Sequence, residues 1–212
     1  MSAIVAKIKA YENGSASGRA HFAVDNGVTF LSHSNSLAGM LPDTTEVETL
    51  SLDEHSAEEV HQGLLDGINL GTDLVNYVGH GAVIFWSSQD ILNTSDIDSL
   101  VNSTYPLMTS FSCLSSYFVY PDGLDSLSEV FLNTAGKGIV VSLGPTALSS
   151  PTEQQLFAEG FYKALFDAST KTIGEAYQKA QRTLKEKGAP SRALNVNRTF
   201  NLLGDPALRL RR

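Results

Sequence analysis

The segments Leu74-Val75-Asn76-Tyr77-Val78-Gly79-His80-Gly81 and Pro106-Leu107-Met108-Thr109-Ser110-Phe111-Ser112-Cys113 decide how this chain folds. Each is an apolar run of five or six residues bounded by turn or polar signals, the pattern of a buried strand. Each also stops on a reactive side chain. One ends on a histidine between two glycines, the other on the only cysteine among 212 residues. In an open, mostly parallel sheet, ligands and chemistry gather just beyond the carboxyl ends of the strands. The two runs therefore predict a sheet and the end of it where chemistry should lie.

Outward from them, helical and strand patterns alternate. Residues 3–13 predict a helix with Ile4 and Ile8 on one face, broken by Gly14 to Gly18. Ala20 to Val24 predicts a strand closed by the turn signal Asp25-Asn26-Gly27. A short helix is expected over Ser34 to Met40 and an alternating strand over Val47 to Leu52. Ser56 and Glu59 form a capping box, and Val60, Leu64, Leu65 and Ile68 recur at helical spacing, so residues 57–68 predict an amphipathic helix. Between the two decisive runs, Ala82 to Trp86 is expected as an apolar loop, and Asp96 to Leu100 as a helical turn capped by Ser95. After Cys113, a loop from Tyr117 to Gly123 precedes a helix over Leu124 to Asn133 and a buried strand over Gly138 to Leu143. Helices over 152–167 and 172–186 turn Phe157, Phe161, Ile173 and Leu184 inward, and a loop and final segment, Phe200 to Leu210, close the chain. Strands alternating with helices make right-handed βαβ units. The expected fold is a single domain over residues 1–212, a three-layer α/β/α sandwich on a mostly parallel sheet.

Composition sets the outer bounds. A globular chain of this length buries about 70% of its unfolded surface, and 42% apolar with 18% charged residues is an ordinary globular profile. The formal net charge of −8 argues against nucleic acid or an anionic membrane surface as a partner. A lone cysteine excludes an intrachain disulfide. No apolar run reaches the roughly 18 residues of a membrane span, so no membrane insertion is expected. Met1 to Lys7 lack the apolar core of a signal peptide, which leaves a protein retained in the cell or a domain cut from a longer precursor.

The candidate chemistry is nucleophilic. A free thiol titrates near ~8.5, so it needs a neighbouring base at neutral pH. His80 and Cys113 lie 33 positions apart, across one strand–helix–strand crossover. In a parallel sheet that puts them on neighbouring strand ends, the geometry of a dyad. The N–H groups of Gly81 and Cys113 would form an oxyanion hole, in which one donor is worth about 3 kcal/mol. The plainer readings are a cysteine that only packs and a Gly-His-Gly turn that serves the backbone alone. Their joint placement at strand ends favours the dyad. Glu58 and His61 have a di-iron spacing but no partner pair, so they read as a solvated helix face. Asp90, Asp96 and Asp98 read as a solvated helix start, with calcium binding a minor alternative. Zinc clusters, phosphate loops and dinucleotide fingerprints are absent, and Gly14 to Gly18 carries alanine where a nucleophile elbow needs serine.

Asn76-Tyr77-Val78-Gly79-His80-Gly81, with Trp86 soon after, resembles the histidine motif of the gingipain-type cysteine peptidases, whose fold is caspase-like. Ser112-Cys113, after a strand opened by Pro106, is similar to their nucleophile segment. Asp25-Asn26-Gly27, Ala135 to Leu143 and Leu203-Gly204-Asp205-Pro206-Ala207-Leu208 fall in the family's order, so the resemblance covers about residue 20 to the C-terminus. It implies Cys113 as nucleophile, His80 as general acid and base, an oxyanion hole of Gly81 and Cys113, and a polypeptide substrate attacked through a thioester. It also implies an exported protein, or part of a larger secreted one. The best-known members carry an acidic residue five positions after the aspartate of the Asp-Asn-Gly turn, where it binds a basic substrate side chain; here that position is Phe30. Their pocket tryptophan, which precedes a Ser-Pro, has Leu148 as its nearest counterpart, before Ser149-Ser150-Pro151. Phe30 and Leu148, with Asp25, form the expected substrate pocket. An apolar lining cannot neutralise Arg or Lys, so an apolar or small residue is expected before the scissile bond. The resemblance implies the catalytic core alone, without the upstream subdomain of the longer relatives. Their calcium sites match no ligand residues here, so no cofactor is expected. Two other readings stand beside the peptidase: a catalytically silent caspase-like scaffolding or binding module, and another thiol hydrolase or acyltransferase on the same scaffold.

Overall fold

A computed structural model of the chain describes residues 2–149 and 151–211. Its regular elements in chain order are α1 (Ala3–Asn13), β1 (Arg19–Val24), α2 (Val28–Ala38), β2 (Glu46–Ser51), α3 (Ala57–Leu70), β3 (Leu74–Val78), β4 (Phe85–Trp86), β5 (Leu92–Asn93), β6 (Leu107–Phe111), α4 (Leu127–Asn133), β7 (Val141–Pro145), α5 (Pro151–Leu165), α6 (Ile173–Lys187), α7 (Pro190–Thr199) and β8 (Phe200–Leu203). A sheet with strand order β2-β1-β3-β6-β7-β8 runs through the middle, parallel except for the antiparallel edge strand β8. β4 and β5 form a separate antiparallel ribbon.

Side-chain alternation along the central strands divides the core in two. Leu74 and Val78 of β3, with Leu107 and Phe111 of β6, face a cluster built on Leu37, Phe157, Phe161, Ala176, Leu184 and Val196 from α2, α5, α6 and α7. Val75 and Tyr77, with Met108, face the opposite cluster of Val60, Leu64, Ile68, Trp86 and Phe131, from α3, the ribbon and α4. A fully buried strand with apolar residues on both faces needs both layers. The architecture is therefore three layers, α/β/α. Truncating a fully buried ring such as Phe161 to alanine costs about 3–5 kcal/mol.

Local signals explain most element ends. Ser56 accepts from the Glu59 N–H at 3.3 Å while the Glu59 carboxylate accepts from the Ser56 N–H at 2.8 Å, closing the box that starts α3. Gly71, at φ 90°, ends the same helix in the left-handed conformation.

Several expectations need correction. α2 begins at Val28 rather than Ser34. It starts on the bare backbone of Gly27, without a capping side chain, and through β-branched residues, so propensity hid its first turn and a half. The turn after β5 is capped by Asn93, which accepts from the Ser95 N–H at 2.8 Å, not by Ser95. Asp96 is buried as its partner in a capping box, not solvated. The helix after Cys113 starts at Leu127, once Ser126 supplies the cap. Gly138, at φ 89°, delays β7 to Val141. The segment before β8 is helix α7, which buries only Ala193 and Val196 and so shows little amphipathic pattern.

Candidate active site

Val78 of β3 pairs with Phe111 of β6 in parallel register. The ladder continues one residue further, where the Gly79 N–H donates to the Phe111 carbonyl at 3.2 Å. His80 lies two residues beyond Val78, and Cys113 lies two residues beyond Phe111. Both thus leave the sheet at the same level on adjacent strands, which lie about 4.8 Å apart. Both line one cavity of about 190 Å³. Its walls come from α2 (Phe30, His33, Leu37), from the strand ends (Val78, Phe111) and from α5 with its lead-in (Ser149, Pro151, Gln154, Gln155, Ala158).

Close backbone approach explains the two glycines. A Cβ on Gly79 would fall 2.3 Å from Asp25 Cβ, and one on Gly81 would fall 2.8 Å from Ser112 Oγ and 2.9 Å from the Cys113 carbonyl oxygen. The histidine turn therefore touches the cysteine turn through Gly81. Neither the Gly81 N–H nor the Cys113 N–H donates to another group among the described residues. Gly81 lies outside the cavity lining and Cys113 within it.

Asp25, at the end of β1, holds the histidine turn from below. Its buried carboxylate accepts from the His80 N–H at 3.0 Å, the Asn26 N–H at 2.9 Å and the Ser87 hydroxyl at 3.0 Å. The Tyr77 hydroxyl lies 3.2 Å from the same carboxylate and within hydrogen-bond reach of the His80 carbonyl. Burial, and then the Asp25 charge, push the Tyr77 hydroxyl far above its ordinary range, so it remains a donor. The Tyr77 ring stacks on Trp86 with centroids 4.6 Å apart, and Ser87, at φ 59°, donates its N–H to the His80 carbonyl at 2.9 Å. The Phe30 ring meets the His80 imidazole edge to face at 5.2 Å.

The cysteine turn is pinned residue by residue. Gln154 donates to the Ser112 carbonyl at 2.9 Å and to the Ser149 hydroxyl at 2.8 Å. Leu114, the residue after the cysteine, sits at φ 60°, a left-handed conformation uncommon for leucine. The Ser116 N–H donates to the Pro145 carbonyl at 3.0 Å, and the Ser128 N–H donates to the Ser115 carbonyl at 3.0 Å. Beneath lies a buried hydroxyl group in which Ser110 meets Ser112 at 2.7 Å and Ser115 at 2.9 Å. Cys113 itself is half-buried and free.

The structure brings His80, Cys113 and Phe30 into one cavity and sets Gly81 against the cysteine turn. Asp25 is not a wall of that cavity; it is a buried anchor for the histidine backbone. Leu148 is 67% exposed and outside the lining, where Ser149 and Pro151 stand instead. Ser150, quoted above in the same landmark, lies outside the described residues. His33 and the two glutamines were missed. His33 belongs to a Phe30, His33, Leu37 stripe that emerges only once α2 is started at Val28. Gln154 and Gln155 carry no apolar signal that would mark them as pocket residues. Among the described residues no group of three or more His, Cys, Asp or Glu is placed to hold a metal ion, and no helix is long and apolar enough to cross a membrane. Glu58 is exposed, and His61 lies 3.5 Å from the buried Asp96.

Comparison with known proteins is consistent with this arrangement. The family model described as peptidase family C25 matches residues 1–211. Gingipain R2 of Porphyromonas gingivalis is 27% identical over 99 residues, covering 46% of this chain and 13% of its own length. Gingipain R1 of the same bacterium is equally identical over 99 residues, 10% of its length. The crystal structure of the Arg-specific cysteine proteinase gingipain R superposes with a TM-score of 0.86 at 20% identity, over 99% of this chain and 52% of that one. Separase in its Saccharomyces cerevisiae complex with securin matches with a TM-score of 0.65 at 14% identity, over 95% of this chain and 13% of that one. The fold is the caspase-like one these structures share. The chain spans about half the length of the gingipain structure, and its 99-residue match covers about a tenth to an eighth of the curated relatives.

Proposed function

The chain belongs to peptidase family C25, and on that footing we propose that it hydrolyses peptide bonds with Cys113 as nucleophile and His80 as general acid and base. The observation that carries this reading is the shared register of β3 and β6, which delivers both side chains to one cavity. His80 takes the thiol proton as Cys113 Sγ attacks the scissile carbonyl carbon. The carbonyl oxygen gains the negative charge, and the N–H groups of Gly81 and Cys113 stabilise it. His80 then gives its proton to the leaving amine, the C–N bond breaks, and a thioester remains. Water, deprotonated by His80, hydrolyses the thioester, and the proton returns to sulfur. Asp25 fixes the imidazole from its backbone side, and no cofactor enters any step.

Phe30 stands where the best-known relatives carry an acid, and the cavity is walled largely by Leu37, Val78, Phe111 and Pro151. An apolar wall does not compensate a buried cation, so this reading excludes strict Arg/Lys specificity. The residue before the scissile bond is apolar over most of its length.

The test is a fluorogenic peptide library varied at that residue, run on the native protein, Cys113→Ala and His80→Ala. Turnover by the native protein alone, with a cysteine-linked acyl adduct visible in the intact mass, is expected. Equal turnover by Cys113→Ala, or none by any of the three, would sink the proposal.

A further inference from the structure

Resting on the peptidase reading above, we infer that His33 sets the substrate class: the cavity takes a tyrosine side chain at the residue before the scissile bond, with the phenolic hydroxyl on the His33 imidazole. The wall of α2 presents Phe30, His33 and Leu37 to the cavity. Phe30 touches His80, and His33 sits one helical turn beyond it, about 4.5 Å further along α2. Along the α2 wall the cavity is thus apolar beside His80 and polar one turn away.

Size and chemistry then narrow the occupant. A cavity of about 150 Å³ holds a benzene ring, so about 190 Å³ admits an aromatic side chain. Phe30 and Phe111 offer ring faces and edges for it. No described residue hydrogen-bonds the His33 imidazole. Burial holds the imidazole below its ordinary pKa, with Glu159 opposing, so it is neutral at pH 7 and carries one donor and one acceptor nitrogen. A phenol both donates and accepts, so it matches whichever nitrogen carries the proton. Phenylalanine fills the same space and leaves the imidazole unpaired. A glutamine side chain brings three or four hydrogen-bonding sites to a cavity with few partners for them, because Gln155 is engaged with Glu159 at 3.1 Å and Gln154 with Ser112 and Ser149. Tyrosine is the residue that is apolar along its body and polar only at its tip.

The experiment pairs two fluorogenic peptides that differ only by tyrosine or phenylalanine before the cleaved bond, assayed on the native protein, His33→Phe and His33→Gln. A single neutral hydrogen bond predicts kcat/KM about tenfold higher for tyrosine. The ratio should fall to about one or reverse in His33→Phe and persist in His33→Gln, which keeps a hydrogen-bonding tip. His33→Gln also serves as the folded control. Equal cleavage of the two peptides by the native protein, or a ratio unchanged in His33→Phe, would each overturn the inference and leave the peptidase reading standing. No cleavage of any peptide, together with ordinary thiol reactivity at Cys113, would overturn both.

Discussion

The buried carboxylate of Asp25 accepts the backbone N–H of His80 at 3.0 Å, so the residue after the first strand sets the position of the histidine, the proposed general base, that follows the third. Asp25 is buried and outside the cavity lining, so on the proposed mechanism it acts only through His80. In Asp25→Asn, one of the two acceptor oxygens becomes a donor that faces N–H and O–H groups. An unsatisfied buried group costs about 1–3 kcal/mol. Since small displacements of a catalytic group cost up to about 100-fold, kcat should fall about 10- to 100-fold. KM should change less than about twofold, because interactions made only in the transition state appear in kcat. Steady-state kinetics on a good substrate separates the two.

Gly81→Ala should be the most selective lesion in the site. Its Cβ would press on Ser112 Oγ and the Cys113 carbonyl, at 2.8 and 2.9 Å. The two turns must move apart, and the N–H groups proposed to hold the oxyanion move with them. Activity should fall at least about 100-fold while the thermal midpoint drops only a few degrees, a split read from kinetics and a melting curve on one preparation.

Phe30→Asp places a carboxylate beside His80 in the α2 wall. The kcat/KM for peptides with Arg before the scissile bond should rise about tenfold, the equivalent of ~1.4 kcal/mol, and that for apolar residues should fall. A competition assay between the two peptide classes reads the switch.

Lys7 gives a stability prediction remote from the site. Its ammonium is fully buried, donates to the Phe131 and Leu132 carbonyls at 3.0 Å each at the end of α4, and lies 5.6 Å from the Tyr105 ring centre. Burial lowers its pKa from 10.5 to about 8. Below pH 8 the amine is charged in both folded and unfolded chains. Between about pH 8 and 10.5 the unfolded chain binds more protons, so stability rises with pH, by up to about 3 kcal/mol. Lys7→Met should lack that rise. Urea unfolding of both proteins at pH 7.5 and pH 10 measures the difference.

What was legible in the sequence followed from burial. β3 and β6 are apolar on both faces because helices cover both, and such runs announce themselves without help from neighbours. The alternation of helix and strand implied adjacent strands for His80 and Cys113, which the sheet order bears out, but the expected crossover helix is replaced by the β4–β5 ribbon and a 3-10 turn over Thr94–Ser99. The pocket was less legible, for two physical reasons. α2 starts on a glycine and β-branched residues rather than on a capping side chain, so the stripe that carries His33 was cut at Ser34. The pocket face of α5 is built from glutamines whose value lies in what they bridge, and Gln154 spans from Ser112 to Ser149 across 42 and 5 positions of chain. Leu148 was assigned by its spacing from Pro151, but the turn before α5 points it outward. Asp25 was assigned to the pocket, because its anchoring role depends on the register that pairs Val24 with Val78.

The central claim is that His80 activates Cys113, and alkylation by iodoacetamide at pH 6 tests it most directly. At that pH an isolated thiol, titrating near ~8.5, is almost inert. Fast labelling of Cys113 is expected in the native protein, with loss of that speed in His80→Ala. Slow labelling at the same rate in both proteins would contradict it.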